Sequence, residues 1–147
     1  MAPLIALVVG FGAARLIGYA GIDAVNGWHP ALRVGLALMF TVTAIAHFAP
    51  SHRSDLIAMV PERLPRPGLL VTVTGVLELL GAAGLLLPAT ARVAAGCLAL
   101  LMLAMFPANV SAARRAVPLA GRPATPLLLR TALQLLFVAA AAAVAFA

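Results

Sequence analysis

The apolar positions of this chain fall into five runs, at residues 3–20, 31–48, 68–87, 91–110 and 127–146, separated by short segments that hold most of the arginines and prolines. A bilayer core of about 30 Å takes roughly 20 apolar residues in helical form, so each run predicts one membrane crossing. Pro30, Pro50, the cluster Pro61, Pro65 and Pro67, then Pro88, Pro118, Pro123 and Pro126 stand beside the spans, where a missing amide costs least. Pro107 in FPANV is the exception: it frees a carbonyl one turn earlier and predicts a kink near the end of the fourth span unless a neighbour compensates. The pattern predicts an all-α, polytopic membrane helix bundle in one domain, residues 1–147.

The segment SHRSDLIAMVPERLPRPG breaks this rhythm. Ser54 or Asp55 can cap a short turn in which Leu56, Ile57, Met59 and Val60 are apolar and Arg53, Glu62 and Arg63 flank them, which reads as an interfacial lid or an amphipathic connector. Small residues recur at Gly10, Ala14 and Gly18 and around Gly81 and Gly84, allowing close backbone approach within the bundle or between copies of the chain. On this basis a homo-oligomer is expected.

Composition agrees with the pattern: 64% of residues are hydrophobic and 10% charged, against roughly 25% charged in soluble domains. All ten basic residues are arginine. They lie in short loops with no aromatic platform beside them, so the net charge of +6 is expected to set topology and meet anionic lipid, and nucleic acid is not an expected partner. Arg53, Arg63, Arg66, Arg114, Arg115 and Arg122, with Arg130 just beyond, mark one side as cytoplasmic, and Arg33 and Arg92 lie on the other. The N-terminus is therefore expected to be cytoplasmic and the C-terminus external; a first helix lying in the interface would keep the arginine-rich loops inside and put the N-terminus elsewhere. The first run lacks a basic leader and carries Arg15 where an apolar core is required, so it is expected to be a retained helix rather than a signal peptide.

Candidate chemistry starts with the charges inside the spans, each costing roughly 2.5–3.5 kcal/mol to insert. At 1.5 Å per residue Glu78 lies about 16 Å, and Arg15 about 18 Å, from the cytoplasmic side, so the two are expected to pair; without such a partner Glu78 would be held neutral. His47, Thr72, Thr74, Asn109 and Gln134 lie toward the same side; Thr74 shares a helix face with Glu78, and Thr43 shares one with His47. Together they predict a pocket in the cytoplasmic half of the bundle, with polar walls and a floor at Glu78 and Arg15, although interhelical hydrogen bonds would equally use the neutral residues. The single Cys97 excludes an intrachain disulfide, and no histidine, carboxylate or cysteine spacing suits a metal. No serine has a nucleophile-elbow context, and no intrinsic cofactor is expected.

The series MFTVTAIAHFAP, LIAMVPERLPRPGLLVTVTGVLELLGAAGLLLP and AMFPANV resembles the DoxX-like family of small bacterial membrane proteins over about residues 31–147, with His47, Pro61, Pro65, Gly75, Glu78, Gly81, Pro107 and Asn109 as the matching positions. The resemblance implies a four-helix core in the second to fifth helices, with residues 1–30 an N-terminal helix and loop added to it, and it gives the Arg15 pairing no support. Founding members are similar to subunits of thiosulfate:quinone oxidoreductase, and relatives are linked to thiol-stress assemblies. The resemblance therefore implies an accessory or anchoring subunit that binds a quinone or another apolar ligand and meets a redox partner at the arginine-rich loops; any enzyme activity is expected only as part of a quinone-linked oxidoreductase. Two further readings stand beside it: a proton-linked carrier of a small hydrophobic or weakly acidic solute, and a ligand-free scaffold.

Overall fold

Each apolar run folds as a helix in the computed structural model, which describes residues 1–119 and 121–147. The order is α1 (Ala2–Tyr19), a 3₁₀ turn (Asp23–Val25), α2 (Trp28–Phe48), α3 (Pro50–Met59), α4 (Pro67–Leu86), α5 (Ala91–Arg114) and α6 (Leu127–Ala145). All but α3 are long and apolar enough to cross a membrane. The fold is all-helical, and the observed spans match the expected ones to within a residue at most ends.

Two ends differ, each for a local reason. The second span starts at Trp28 rather than at residue 31, because Pro30 sits in the first helical turn, where its missing N–H would have no partner anyway. The fourth span continues past Pro107 and ends four residues later than expected, at Arg114. Its stop is a Schellman-type turn: Val117 N–H bonds the Ala112 carbonyl at 3.0 Å and Ala116 N–H the Ala113 carbonyl at 3.4 Å, with Ala116 at φ 52° in the position that glycine favours.

Successive long helices are antiparallel neighbours. α2, α4, α5 and α6 form a ring closed by α6 against α2, and α1 packs outside it on α2. The glycine stripe of α1 is spent inside the chain: a Cβ at Gly10 would lie 2.9 Å from Gly35 Cα, and one at Gly35 only 2.7 Å from the Leu7 carbonyl oxygen. On the other side of the ring, Gly81 receives the Leu98 side chain.

The bundle has two unlike ends. At the arginine-rich end lie the start of α1, the end of α2, all of α3, the start of α4, the end of α5 and the start of α6. The core gathers in the middle and toward the other end, around Leu36, Met39, Phe40, Leu85, Leu98 and Val144, all fully buried. There Arg33 donates to the Leu85 and Leu86 carbonyls at 2.8 and 3.0 Å, closing the end of α4. α6 contributes only Ala141 and Val144 as buried residues, both in its last turns, so its first half stands less tightly packed.

The expected amphipathic segment is α3, a ten-residue helix lying across the arginine-rich end with Met59 buried. Arginines tie it at both ends. Arg53 donates to the carbonyls of His47 (2.9 Å) and Gly68 (3.2 Å) and to Thr72 Oγ1 (2.9 Å). Arg115 on the α5 side donates to the Ala58 and Val60 carbonyls at 2.6 and 3.0 Å and meets Glu62 at 3.4 Å.

Candidate functional site

Glu78 is the most deeply buried ionisable side chain, 2% exposed, in the face of α4 that also carries Val71, Gly75, Ala82 and Leu85 against α2. Gly75, one turn before it, lets α2 come close: a Cβ there would stand 2.7 Å from His47 Cβ. That approach brings His47 Nδ1 to 3.6 Å from Glu78 Oε2, and both side chains are nearly enclosed. His47 and Glu78, which the sequence placed in one pocket, thus meet directly.

The ring position of His47 follows from its other bond. Nδ1 lies 2.9 Å from the Thr43 carbonyl oxygen, and a carbonyl can only accept, so Nδ1 carries the proton and Nε2 is the open position of the imidazole. The Thr43 hydroxyl, on the same turn of α2, donates to the Phe40 carbonyl at 3.0 Å. Glu78 Oε2 has no hydrogen-bond partner despite full burial. A buried carboxyl oxygen with one face unsatisfied calls for a proton or a donor.

The expected Arg15–Glu78 pair does not form. Gly10 faces Gly35 and Gly18 faces Asn26, so Arg15 sits level with the first turn of α2, about 25 Å along that helix from His47. Its guanidinium bonds the Tyr19 hydroxyl and stacks on that ring at 4.5 Å. The shared depth was an artefact of counting from loop boundaries: the first two turns of α4 run alongside α3, beyond the end of α2, so Glu78 lies nearer the arginine-rich end than its distance from Pro67 suggests.

The remaining candidates divide. Thr74 donates to its own helix, to the carbonyls of Leu70 and Val71, and Thr72 belongs to the Arg53 tie. Asn109 and Gln134 meet each other at 3.4 Å between α5 and α6. Gln134 Nε2 also donates to the Met102 carbonyl at 2.6 Å, one residue before Leu103, whose carbonyl Pro107 leaves without its helical donor, and so ties α6 to α5 just ahead of the proline. Sequence reasoning missed Arg53 as a structural tie, since an arginine in a loop reads as a topology signal.

No metal-binding group of three or more histidine, cysteine or carboxylate side chains occurs among the described residues. Two surface grooves lie away from His47 and Glu78. One, of about 600 Å³, is an apolar groove along α4 and α5 that includes Cys97. The other, of about 310 Å³, is next to Arg33 at the opposite end of the bundle. The expected polar-walled pocket is thus represented by a closed acid–imidazole contact.

The family model described as Domain of unknown function (DUF8561) matches residues 36–145. The chain belongs to this family. The DUF8561 match begins inside α2 and runs to the last residue of α6, covering the ring and His47, Glu78, Asn109 and Gln134 and leaving α1 outside. No curated protein and no solved structure matches the chain.

Proposed function

We propose that this DUF8561 protein is a small membrane subunit that binds a quinone-class molecule at its arginine-rich end and exchanges a proton with it through His47 and Glu78. One observation carries the reading: a carboxyl oxygen buried without a partner lies 3.6 Å from an imidazole whose Nε2 is uncommitted. A ligand oxygen at Nε2 would hydrogen-bond the ring. A proton taken there would be matched by one passed from Nδ1 to the Glu78 carboxylate, so the pair moves a proton without building a net charge in the span. The resemblance to DoxX-like proteins points to quinones among apolar ligands and to electron carriers on a separate redox partner, received by the exposed loop arginines. In this reading the arginine-rich end is cytoplasmic, in a bacterial inner membrane.

Native mass spectrometry with quinone extraction tests it. Gently solubilised wild type should carry a stoichiometric quinone that Glu78→Gln and His47→Leu lose; wild type prepared from quinone-replete membranes and found empty would overturn the reading. The same pair also suits a proton-linked carrier of a weakly acidic solute, because the loosely packed first half of α6 gives the bundle room to open beside it. Uptake into liposomes driven by a pH gradient and abolished in Glu78→Gln would select that alternative.

A further inference from the structure

A second polar network, on the α5–α6 side of the ring, has more unspent donors than acceptors. Arg130 is the fourth residue of α6. Its Nε donates to the Thr125 carbonyl at 2.9 Å and its Nη1 to Asn109 Oδ1 at 3.2 Å. Asn109 Nδ2 donates in turn to Gln134 Oε1, and Gln134 Nε2 to the Met102 carbonyl. Every bond runs in the same direction, away from the guanidinium. Both amide oxygens already accept one bond, and the network's unspent capacity is mostly N–H, since a guanidinium has five donors, each amide nitrogen two, and each amide oxygen only one lone pair left.

Charge reinforces the donor surplus. Among the described residues no carboxylate lies within ion-pair distance of Arg130, whose Nε and Nη1 bond neutral oxygens. It is partly buried in a helix apolar enough to span, and the guanidinium keeps its charge there. The bond to Thr125, which precedes the helix, fixes the group at the level where α6 begins, and Leu127 and Leu128 beside it are exposed. An acceptor that is anionic, anchored by a hydrocarbon chain and placed at head-group depth meets all three conditions.

The geometry points to an anion site at Arg130, backed by Asn109 and separate from His47 and Glu78, that takes the head group of a long-chain amphiphile, as a phosphodiester or a carboxylate. The exposed Arg114 and Arg122 attract such molecules by charge alone. Arg130 holds them through directed, charge-assisted hydrogen bonds.

Native mass spectrometry in dodecyl maltoside separates these contributions, with phosphatidylglycerol, palmitate and phosphatidylcholine as competing probes. Wild type should retain one phosphatidylglycerol or one palmitate about tenfold better than phosphatidylcholine. Arg130→Gln should lose the preference, Arg130→Lys should keep a weakened one, and Arg122→Gln and His47→Leu should retain it in full. Retention of phosphatidylglycerol alone identifies a leaflet lipid, and retention of palmitate alone a free fatty carboxylate. Equal binding of all three probes by wild type, or an equal loss in Arg122→Gln, would overturn the site; neither result depends on whether Arg130→Gln folds or on the fate of the quinone reading.

Discussion

At the scale of single residues, Glu78 shows what sequence reveals and what it withholds. A lone carboxylate in an apolar run identified itself, because its insertion cost demands a reason. Its partner did not, because the register between helices is set by where backbones can approach, and here Gly75 sets it. The distinction is measurable by double-mutant cycles on detergent melting. His47→Leu with Glu78→Gln should show a coupling of about 1–3 kcal/mol, the range for groups in one network, whereas Arg15→Met with Glu78→Gln should be additive within about 0.5 kcal/mol. Coupling between Arg15 and Glu78 would contradict the placement of α1 on α2. Ala116 offers a second test: its φ of 52° suits glycine, so Ala116→Gly should stabilise the end of α5 by roughly 1 kcal/mol, seen as a higher melting temperature.

Among whole elements, the five spans were legible because a 20-residue apolar run has few other fates, and the prolines marked their ends. What the pattern could not give was the fate of prolines inside helical turns. Pro30 is absorbed by a first turn that needs no donor, and Pro107 is carried inside α5, where Gln134 from a different helix bonds the Met102 carbonyl in the preceding turn. Gln134→Leu should therefore destabilise the α5–α6 pair by about 1–2 kcal/mol in detergent, while Gln134→Glu, which lacks the amide donor when ionised, should do no better. The glycines of α1 could not be assigned to intrachain or interchain packing from spacing alone, and contact geometry assigns them. Gly35→Ala should cost about 1–3 kcal/mol, because its Cβ would strike the Leu7 carbonyl oxygen. Gly12→Ala, with open space around it, should be neutral or stabilise by up to about 1 kcal/mol. Equal melting of the two variants would mean that α1 and α2 do not approach as closely as described.

The whole molecule is asymmetric along the bundle axis, and packing and charge share that asymmetry. Large buried side chains hold the end that carries Arg15, Arg33 and Arg92, while the other seven of the ten arginines gather where the bundle is joined by hydrogen bonds to α3 and by the Asn109–Gln134 contact. Five helices are long and apolar enough to cross; five crossings would put the two termini on opposite sides, and the imbalance of seven arginines against three should orient the chain with its C-terminus external. Arg63, Arg114 and Arg122 are exposed, so they can be replaced without disturbing the ties made by Arg53 and Arg115. Changing all three to Asn reduces the difference to four against three, close to parity. A C-terminal reporter active only outside the cytoplasm should give full signal in the wild type and a divided population in the triple variant. The proposed quinone reading depends on this orientation, which would present the arginine loops, α3 and the open side of His47 to a partner in the cytoplasm. A C-terminal reporter that stays cytoplasmic in the wild type would reverse the bundle, move the His47–Glu78 pair to the external side and remove the basis for a cytoplasmic redox partner.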